Sequence, residues 1–111
     1  MGQVNLVRIG RDYVNANGSI TLSTGILADD PVPMTTSAAM VNGAIHSFVQ
    51  AVNLELTDVR VNVVSLGLVE DAYEKYKDYF PGHIPVSMEQ AVQAYVRSVQ
   101  GRGRGEIIRI Y

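Results

Sequence analysis

A long amphipathic segment that runs directly into an apolar strand constrains the fold more than any other feature of this 111-residue sequence. Between residues 37 and 56, apolar side chains recur at spacings of three and four, which is the period of one helix face. Residues 59–65 are mostly β-branched and hardly alternate, a pattern typical of a parallel strand with helices on both faces. We therefore predict a helix at 37–56 and a buried strand at 59–65.

Helical and strand patterns alternate along the rest of the chain. We predict helices at 3–15 and 70–80, a helix that Ser87 caps and that ends before Gly101, and strands at 19–24 and 106–111. The hydroxyls of Thr35, Thr36 and Ser37 are expected to cap the long helix. The predicted fold class is a three-layer α/β fold with a parallel sheet of about three strands, in a single domain over residues 1–111.

Composition excludes several classes of function. The chain has no cysteine, which excludes disulfides and cysteine-ligated metals and fits a reducing cytoplasm. A net charge of -2 gives no general attraction to nucleic acid or to an anionic membrane, and no apolar run approaches the length of a membrane span. The two histidines, His46 and His83, lie far apart, so no metal site is predicted. We expect a cytoplasmic protein with neither nucleic acid nor membrane as a partner.

Four segments carry a resemblance to a known family, at residues 18–25, 37–44, 54–56 and 59–67. The most specific of them is Val-Arg-Val-Asn-x-Val-Ser-x-Gly, which follows a helix that ends in Leu-Glu-Leu. Together they resemble the second half of a short-chain dehydrogenase/reductase, and in detail a subgroup that lacks the usual active-site residues. The resemblance covers essentially the whole chain. It implies a partial Rossmann-like fold and NAD(P)-dependent oxidoreductase activity.

Two departures from that family bear on function. The glycine-rich turn that approaches the cofactor pyrophosphate has no counterpart here, so the resemblance implies that the N-terminal cofactor-binding half is missing. NAD or NADP is then expected in a full-length parent, and no cofactor on this chain alone. The family's Tyr and Lys, four residues apart on the long helix, fall on Ala38 and Asn42. Neither side chain can transfer a proton as that pair does.

The resemblance also points to the remaining site residues. The family's serine falls on Gly25, or on Thr24 if the alignment shifts by one, which makes Ser23 and Thr24 the candidate catalytic hydroxyls. Their alternative role is ordinary hydrogen bonding at a strand end. By position in the motif, three residues would offer backbone groups near the nicotinamide, namely Gly67, Leu68 and Val69.

Two further patterns have alternative interpretations. Tyr73 and Lys77 repeat the Tyr-x-x-x-Lys spacing outside the matching helix, in the segment that resembles the substrate lid, and are expected to be an exposed pair. The aromatic cluster Tyr73, Tyr76, Tyr79 and Phe80 either lines a pocket beyond the sheet or packs a short helix onto its neighbours.

Two functions from different classes remain open. The first is an oxidoreductase-like protein, truncated and without a complete active site, whose parent binds a nicotinamide cofactor. The second is a non-catalytic assembly or binding module. In both cases the resemblance implies a homodimer through the helices at 3–15 and 37–56, with strand pairing at the free edge near Ile20 as an additional contact.

Overall fold

The computed structural model describes residues 2–111 as helices that alternate with the strands of a parallel sheet. The helices are α1 (Gly2–Gly10), α2 (Thr36–Val52), α3 (Glu70–Tyr76) and α4 (Met88–Gln100). The strands are β1 (Ser19–Gly25), β2 (Arg60–Leu66) and β3 (Ile107–Ile110), in the order β1-β2-β3. Short 3-10 turns occupy Ile26–Ala28 and Lys77–Tyr79. The predicted fold class is confirmed: an α/β fold with a three-stranded parallel sheet, which matches part of a Rossmann-like domain.

The central strand β2 is buried on both faces, as its lack of alternation predicts. Its five residues from Val61 to Ser65 are all buried. On one face, Val61 and Val63 pack with Leu22, Ile45 and Val49, which come from β1 and α2. Each such aliphatic side chain contributes about 1.5–3 kcal/mol when it leaves water.

The opposite face of the sheet carries α4, and the apolar stripe that its sequence shows at residues 88, 91, 92, 95, 96 and 99 is buried only in part. Met88, Val92, Val96 and Val99 are exposed, whereas the buried residues are Ala91, Ala94 and Ser98. Small side chains let the helix approach Val64 and Ile108 closely. The Ser98 hydroxyl also hydrogen-bonds the Thr21 hydroxyl at 2.6 Å, so a polar contact favours this orientation of the helix.

Two predicted helices are shorter than expected. Helix α1 ends at Gly10 rather than at residue 15, because glycine weakens a helix and residues 11–13 form a turn instead. Helix α2 ends at Val52 rather than at residue 56. Beyond it, the Asn53 amide donates to Val49 O and Val61 O, and its oxygen accepts from Val61 N. That side chain therefore joins the end of α2 to β2.

The predictions for the helix caps have mixed outcomes. The Ser87 capping box is confirmed, because Gln90 N donates to Ser87 Oγ at 3.1 Å and Ser87 N donates to Gln90 Oε1 at 3.0 Å. The hydroxyl cap on α2 is wrong. Thr35 is the N-cap residue, but its hydroxyl donates to the Val32 carbonyl and leaves the helix start without a side-chain cap. The helix predicted over 70–80 is divided into α3 and a 3-10 turn.

The free edge of β1 is partly covered from within the chain. The Gln3 side chain accepts from Ser23 N at 2.9 Å and donates to Ser23 O at 3.0 Å. One amide thus bonds both backbone groups of Ser23 as a neighbouring strand would. The expectation of a wholly unpaired edge is therefore wrong at this residue.

The family-like motif on β2 has a structural role at the loop before β3. The Asn62 amide donates to Gly103 O at 3.0 Å, and its oxygen accepts from Glu106 N at 3.0 Å. The Arg60 guanidinium donates to Ser98 O and Gly103 O. These bonds hold the glycine-rich loop at residues 101–105 beside the sheet.

Candidate functional site

A cavity of about 490 Å³ lies at the carboxyl ends of β1 and β2, where open α/β sheets bind their ligands. The first wall comes from the chain after β1 and comprises Ile26, Leu27, Val32, Pro33, Met34 and Thr35. The second wall comes from the chain after β2 and comprises Gly67, Leu68, Val69, Ala72, Tyr76, Tyr79 and Phe80. Tyr76, Tyr79 and Phe80 of the aromatic cluster therefore line a pocket, as one of the two interpretations proposes.

Gly67 lets the second wall leave the sheet close to the end of β3. A Cβ atom at this position would lie 2.9 Å from Tyr111 Cα, closer than side chains tolerate. The Gly67 N–H donates to Ile110 O at 2.6 Å, which extends the ladder between β2 and β3 by one bond. Beyond Gly67, Val69 forms a parallel bridge with Val86. Val86 N donates to Leu68 O, and Glu70 N donates to Val86 O.

Two carboxylates, each bonded to side chains from other parts of the chain, hold the first wall in place. Asp29 accepts from Arg109 Nε at 2.6 Å and from the Tyr111 hydroxyl, both at the end of β3. The hydrogen bond from Arg109, and then that from Tyr111, lower the pKa of Asp29 below its usual value. Asp30 contacts His83 Nε2 at 2.9 Å, across to the segment that follows α3. Both acidic groups therefore have partners within the chain.

Tyr111 extends this polar group to the central strand. Its hydroxyl lies 3.0 Å from Ser65 Oγ, and burial, followed by the bond to Asp29, raises the pKa of the phenol. The network of Asp29, Arg109, Tyr111 and Ser65 was not predicted from the sequence. Its members are up to 82 residues apart, and polar residues at the ends of predicted parallel strands are the signal that would have indicated it.

The two candidate hydroxyls lie on opposite faces of the sheet. Thr24 Oγ1 lies 2.6 Å from His46 Nε2, on the side of α2, and burial lowers the pKa of this imidazole. Ser23 Oγ lies 2.7 Å from Tyr95 OH, on the side of α4. Neither residue lines the cavity. The structure therefore does not bring the two hydroxyls together, and both already have hydrogen-bond partners.

At the positions of the family's proton-transfer pair, the structure has a local contact within α2. The Asn42 amide donates to the Ala38 carbonyl at 2.8 Å, one turn earlier. Ala38 itself is exposed. The side chain that stands at the lysine position is thus bonded to its own helix.

The second Tyr-x-x-x-Lys pair lies in the segment that follows β2. Lys77 is bonded to Glu74 at 3.1 Å on the surface, and the pair Tyr73 and Lys77 lies apart from the matching helix. Among residues 2–111, no group of three His, Cys, Asp or Glu side chains is placed to hold a metal ion. No helix in the same range combines the length and the apolar character that crossing a membrane requires.

A family model described as an SDR-like Rossmann domain matches residues 7–97. The chain belongs to the short-chain dehydrogenase/reductase family. No curated protein matches it. Among solved structures, this family member is similar to the protein lin1944 from Listeria innocua, with 39% identity and a TM-score of 0.94 over 99% of this chain and 56% of that one.

Two further structures are similar to this short-chain dehydrogenase/reductase chain. One is a small-chain dehydrogenase, with 28% identity and a TM-score of 0.79 over 98% of this chain and 51% of that one. The other is a small-chain dehydrogenase in complex with NADPH, with 27% identity and a TM-score of 0.81 over 98% of this chain and 56% of that one. The chain thus spans about half the length of each of the three structures.

Proposed function

We propose that this chain is the substrate-side half of an NAD(P)-dependent oxidoreductase fold and does not catalyse hydride transfer by itself. The contact between Asn42 and Ala38 carries the proposal, because it occupies the positions of the proton-transfer pair with a helix-internal hydrogen bond. Family membership and the NADPH in a similar structure support the oxidoreductase class. The cavity at the strand ends supports the assignment to the substrate side.

The residues present do not fit a complete dinucleotide. The sequence has no glycine-rich turn after a strand to approach a pyrophosphate. At the nicotinamide position of the motif, Gly67 N–H is bonded to Ile110 O and Leu68 O to Val86 N. NAD or NADP would therefore bind only where the other half of the domain is also present. Gly67, Leu68 and Val69 remain the predicted contact for the nicotinamide, and Ser23 and Thr24 remain predicted hydroxyls.

Calorimetric titration of this chain with NADH and NADPH tests the proposal. We expect no dissociation constant below about 100 μM, which corresponds to roughly -5.5 kcal/mol. Tighter binding would show that the strand ends present here suffice for the cofactor.

A double variant, Ala38→Tyr with Asn42→Lys, tests the catalytic part separately. It restores the side chains of the proton-transfer pair, yet we expect no oxidation of NADPH with a panel of carbonyl compounds. Absorbance of the reduced nicotinamide is the measurement. Turnover by the double variant alone would refute the proposal.

A second candidate, a homo-oligomerising module, is favoured by the exposed apolar side chains of α1 and α2. Leu6 and Ile9 are 55% and 53% exposed, and Met40 and Val41 are 68% and 54% exposed. Apolar patches of this kind mark interfaces. We propose a two-fold dimer in which α1 and α2 pack against their symmetry mates; residues 11–15 lie outside the helix and contribute no helical face.

Light scattering coupled to size exclusion tests the dimer. We expect a mass near twice the 12.1 kDa of one chain, and a shift towards that of the monomer in Met40→Glu. The matched control is Gln50→Glu, an exposed change on the same helix. A mass of one chain that is unchanged on dilution would exclude this assembly.

A further inference from the structure

We infer that the cavity at the strand ends binds an uncharged, mainly apolar alcohol or carbonyl compound that carries a ring. The inference deepens the proposed function, on which it rests for the class of reacting group. Three features of the walls carry it: the absence of charge, the exposed apolar side chains at the mouth, and the hydroxyls of two tyrosines.

The described lining contains no acidic or basic side chain. The nearest carboxylates on the first wall, Asp29 and Asp30, are bonded to Arg109 and His83. On the second wall, the charged residues of α3 flank the lining residues without lining the cavity, and Lys75 Nζ lies 5.2 Å from the centroid of the Tyr76 ring. A ligand that buries a charge between the walls would lose its hydration without meeting an oppositely charged side chain in the lining, which is strongly unfavourable. An uncharged ligand loses much less.

Large apolar side chains stand exposed around the mouth of the cavity. Met34 is 101% exposed and has a φ of 70°, a conformation that residues other than glycine rarely adopt. Tyr79 and Tyr76 on the facing wall are 61% and 40% exposed. An apolar ligand between these walls would cover surface that otherwise faces water, and this favours its binding.

The aromatic wall suits a ring, and it provides few polar groups. The rings of Tyr76 and Tyr79 lie 6.5 Å apart with an interplanar angle of 55°, and aromatic rings pair favourably with a further ring in such tilted arrangements. The Thr35 hydroxyl is engaged by Val32, so the phenols of Tyr76 and Tyr79 are the remaining side-chain hydroxyls of the described lining. A volume of about 490 Å³ is within the range of small-molecule sites and admits a compound of two or three fused rings.

A pair of naphthalene probes that differ in charge tests the chemical class. Naphthalene-2-methanol is neutral and carries one hydroxyl, whereas 2-naphthoate has the same ring and a negative charge. In calorimetric titrations of the full chain, we expect the alcohol to bind at least tenfold more tightly than the carboxylate. Equal affinities, or no binding of the alcohol, would overturn the inference.

Matched variants locate the binding. Ala72→Trp fills the cavity and is expected to weaken binding of naphthalene-2-methanol at least tenfold. Ala16→Trp makes the same change at an exposed turn position outside the lining and outside α1 and α2, and is expected to leave the affinity unchanged. Ala72→Met, a smaller change, should give an intermediate loss and applies if the Trp variant does not fold. An unchanged affinity in a folded cavity variant would also overturn the inference.

The outcomes for this site and for the proposed function are independent. Titration with NADPH on the same preparation reports on the proposed function and involves neither naphthalene probe. If the chain binds NADPH and also binds the alcohol selectively, only the proposal that this chain alone does not bind a dinucleotide is refuted. If the chain binds neither NADPH nor naphthalene-2-methanol, only the inference about the ligand of the cavity is refuted.

Discussion

Helices α2 and α4 cover opposite faces of the same sheet, and they bury side chains of different size and polarity. Helix α2 buries branched residues, Ile45 and Val49, against Leu22 and Val63. Helix α4 buries Ala91, Ala94 and Ser98, and directs its valines outward. The first face is stabilised chiefly by apolar area, and the second by close approach together with polar contacts such as that between Thr21 and Ser98. Apolar periodicity alone therefore does not identify the face that a helix buries.

The largest expected effect comes from the removal of a branched side chain on α2. Ile45→Ala leaves a cavity in a closely packed face and should lower the free energy of unfolding by about 2–5 kcal/mol. The matched change on α4, Val96→Ala, removes an exposed side chain and should alter it by less than about 0.5 kcal/mol. Urea unfolding followed by circular dichroism measures both. Equal losses would show that the outward valines of α4 are buried in solution.

A smaller effect is expected when a small residue on α4 is enlarged. Ala94 is 3% exposed against the sheet, so Ala94→Leu should force the helix away and lower the free energy of unfolding by about 1–3 kcal/mol. Gln93→Leu places the same side chain on the exposed side as a control. If the leucine at position 94 stabilises the protein, the contact between α4 and the sheet is looser than described.

The smallest expected effect is a drift of stability with pH, and it arises on the α2 face. Burial lowers the pKa of His46 in the folded state below the value of 6.5 that applies when it is free, although the charge of Asp29 opposes the shift. The unfolded chain then binds more protons just below pH 6.5, so stability falls there as pH decreases. Above that pH the contribution is fully present.

The drift is measured as the urea midpoint at several pH values between about 7 and 5, above the range in which Asp29 titrates. His46→Gln should remove the part of the slope that this residue causes, while His83→Gln retains it. A slope that persists unchanged in His46→Gln would assign the drift to other groups.

The sequence predicts the elements well where a local pattern determines them. The central strand was predicted to within one residue from its lack of alternation, and the Ser87 capping box from four adjacent residues. The end of α2 was missed because Asn53 bonds Val61 across a turn, a contact without a periodic signal.

The candidate site was less accessible from the sequence. The resemblance identified Ala38, Asn42 and the turn at Gly67, because these positions belong to a motif with fixed spacing. The alternation of side chains along a strand places Ser23 and Thr24 on opposite faces of the sheet. Their partners, Tyr95 and His46, come from distant helices, and neither the alternation nor the resemblance indicates them. The hydrogen bond from Arg109 to Asp29 joins residues 80 apart, and only the folded chain brings them together.

The amide of Gln3 sets a limit on how the sheet can be extended. In a parallel strand, both backbone groups of one residue point to the same side and alternate residues face the same edge. Because Ser23 faces the free edge, Ser19 and Thr21 face it too. A strand that adds to β1 can therefore form its ladder with the first part of β1 only, and it must diverge from the sheet at the level of Ser23.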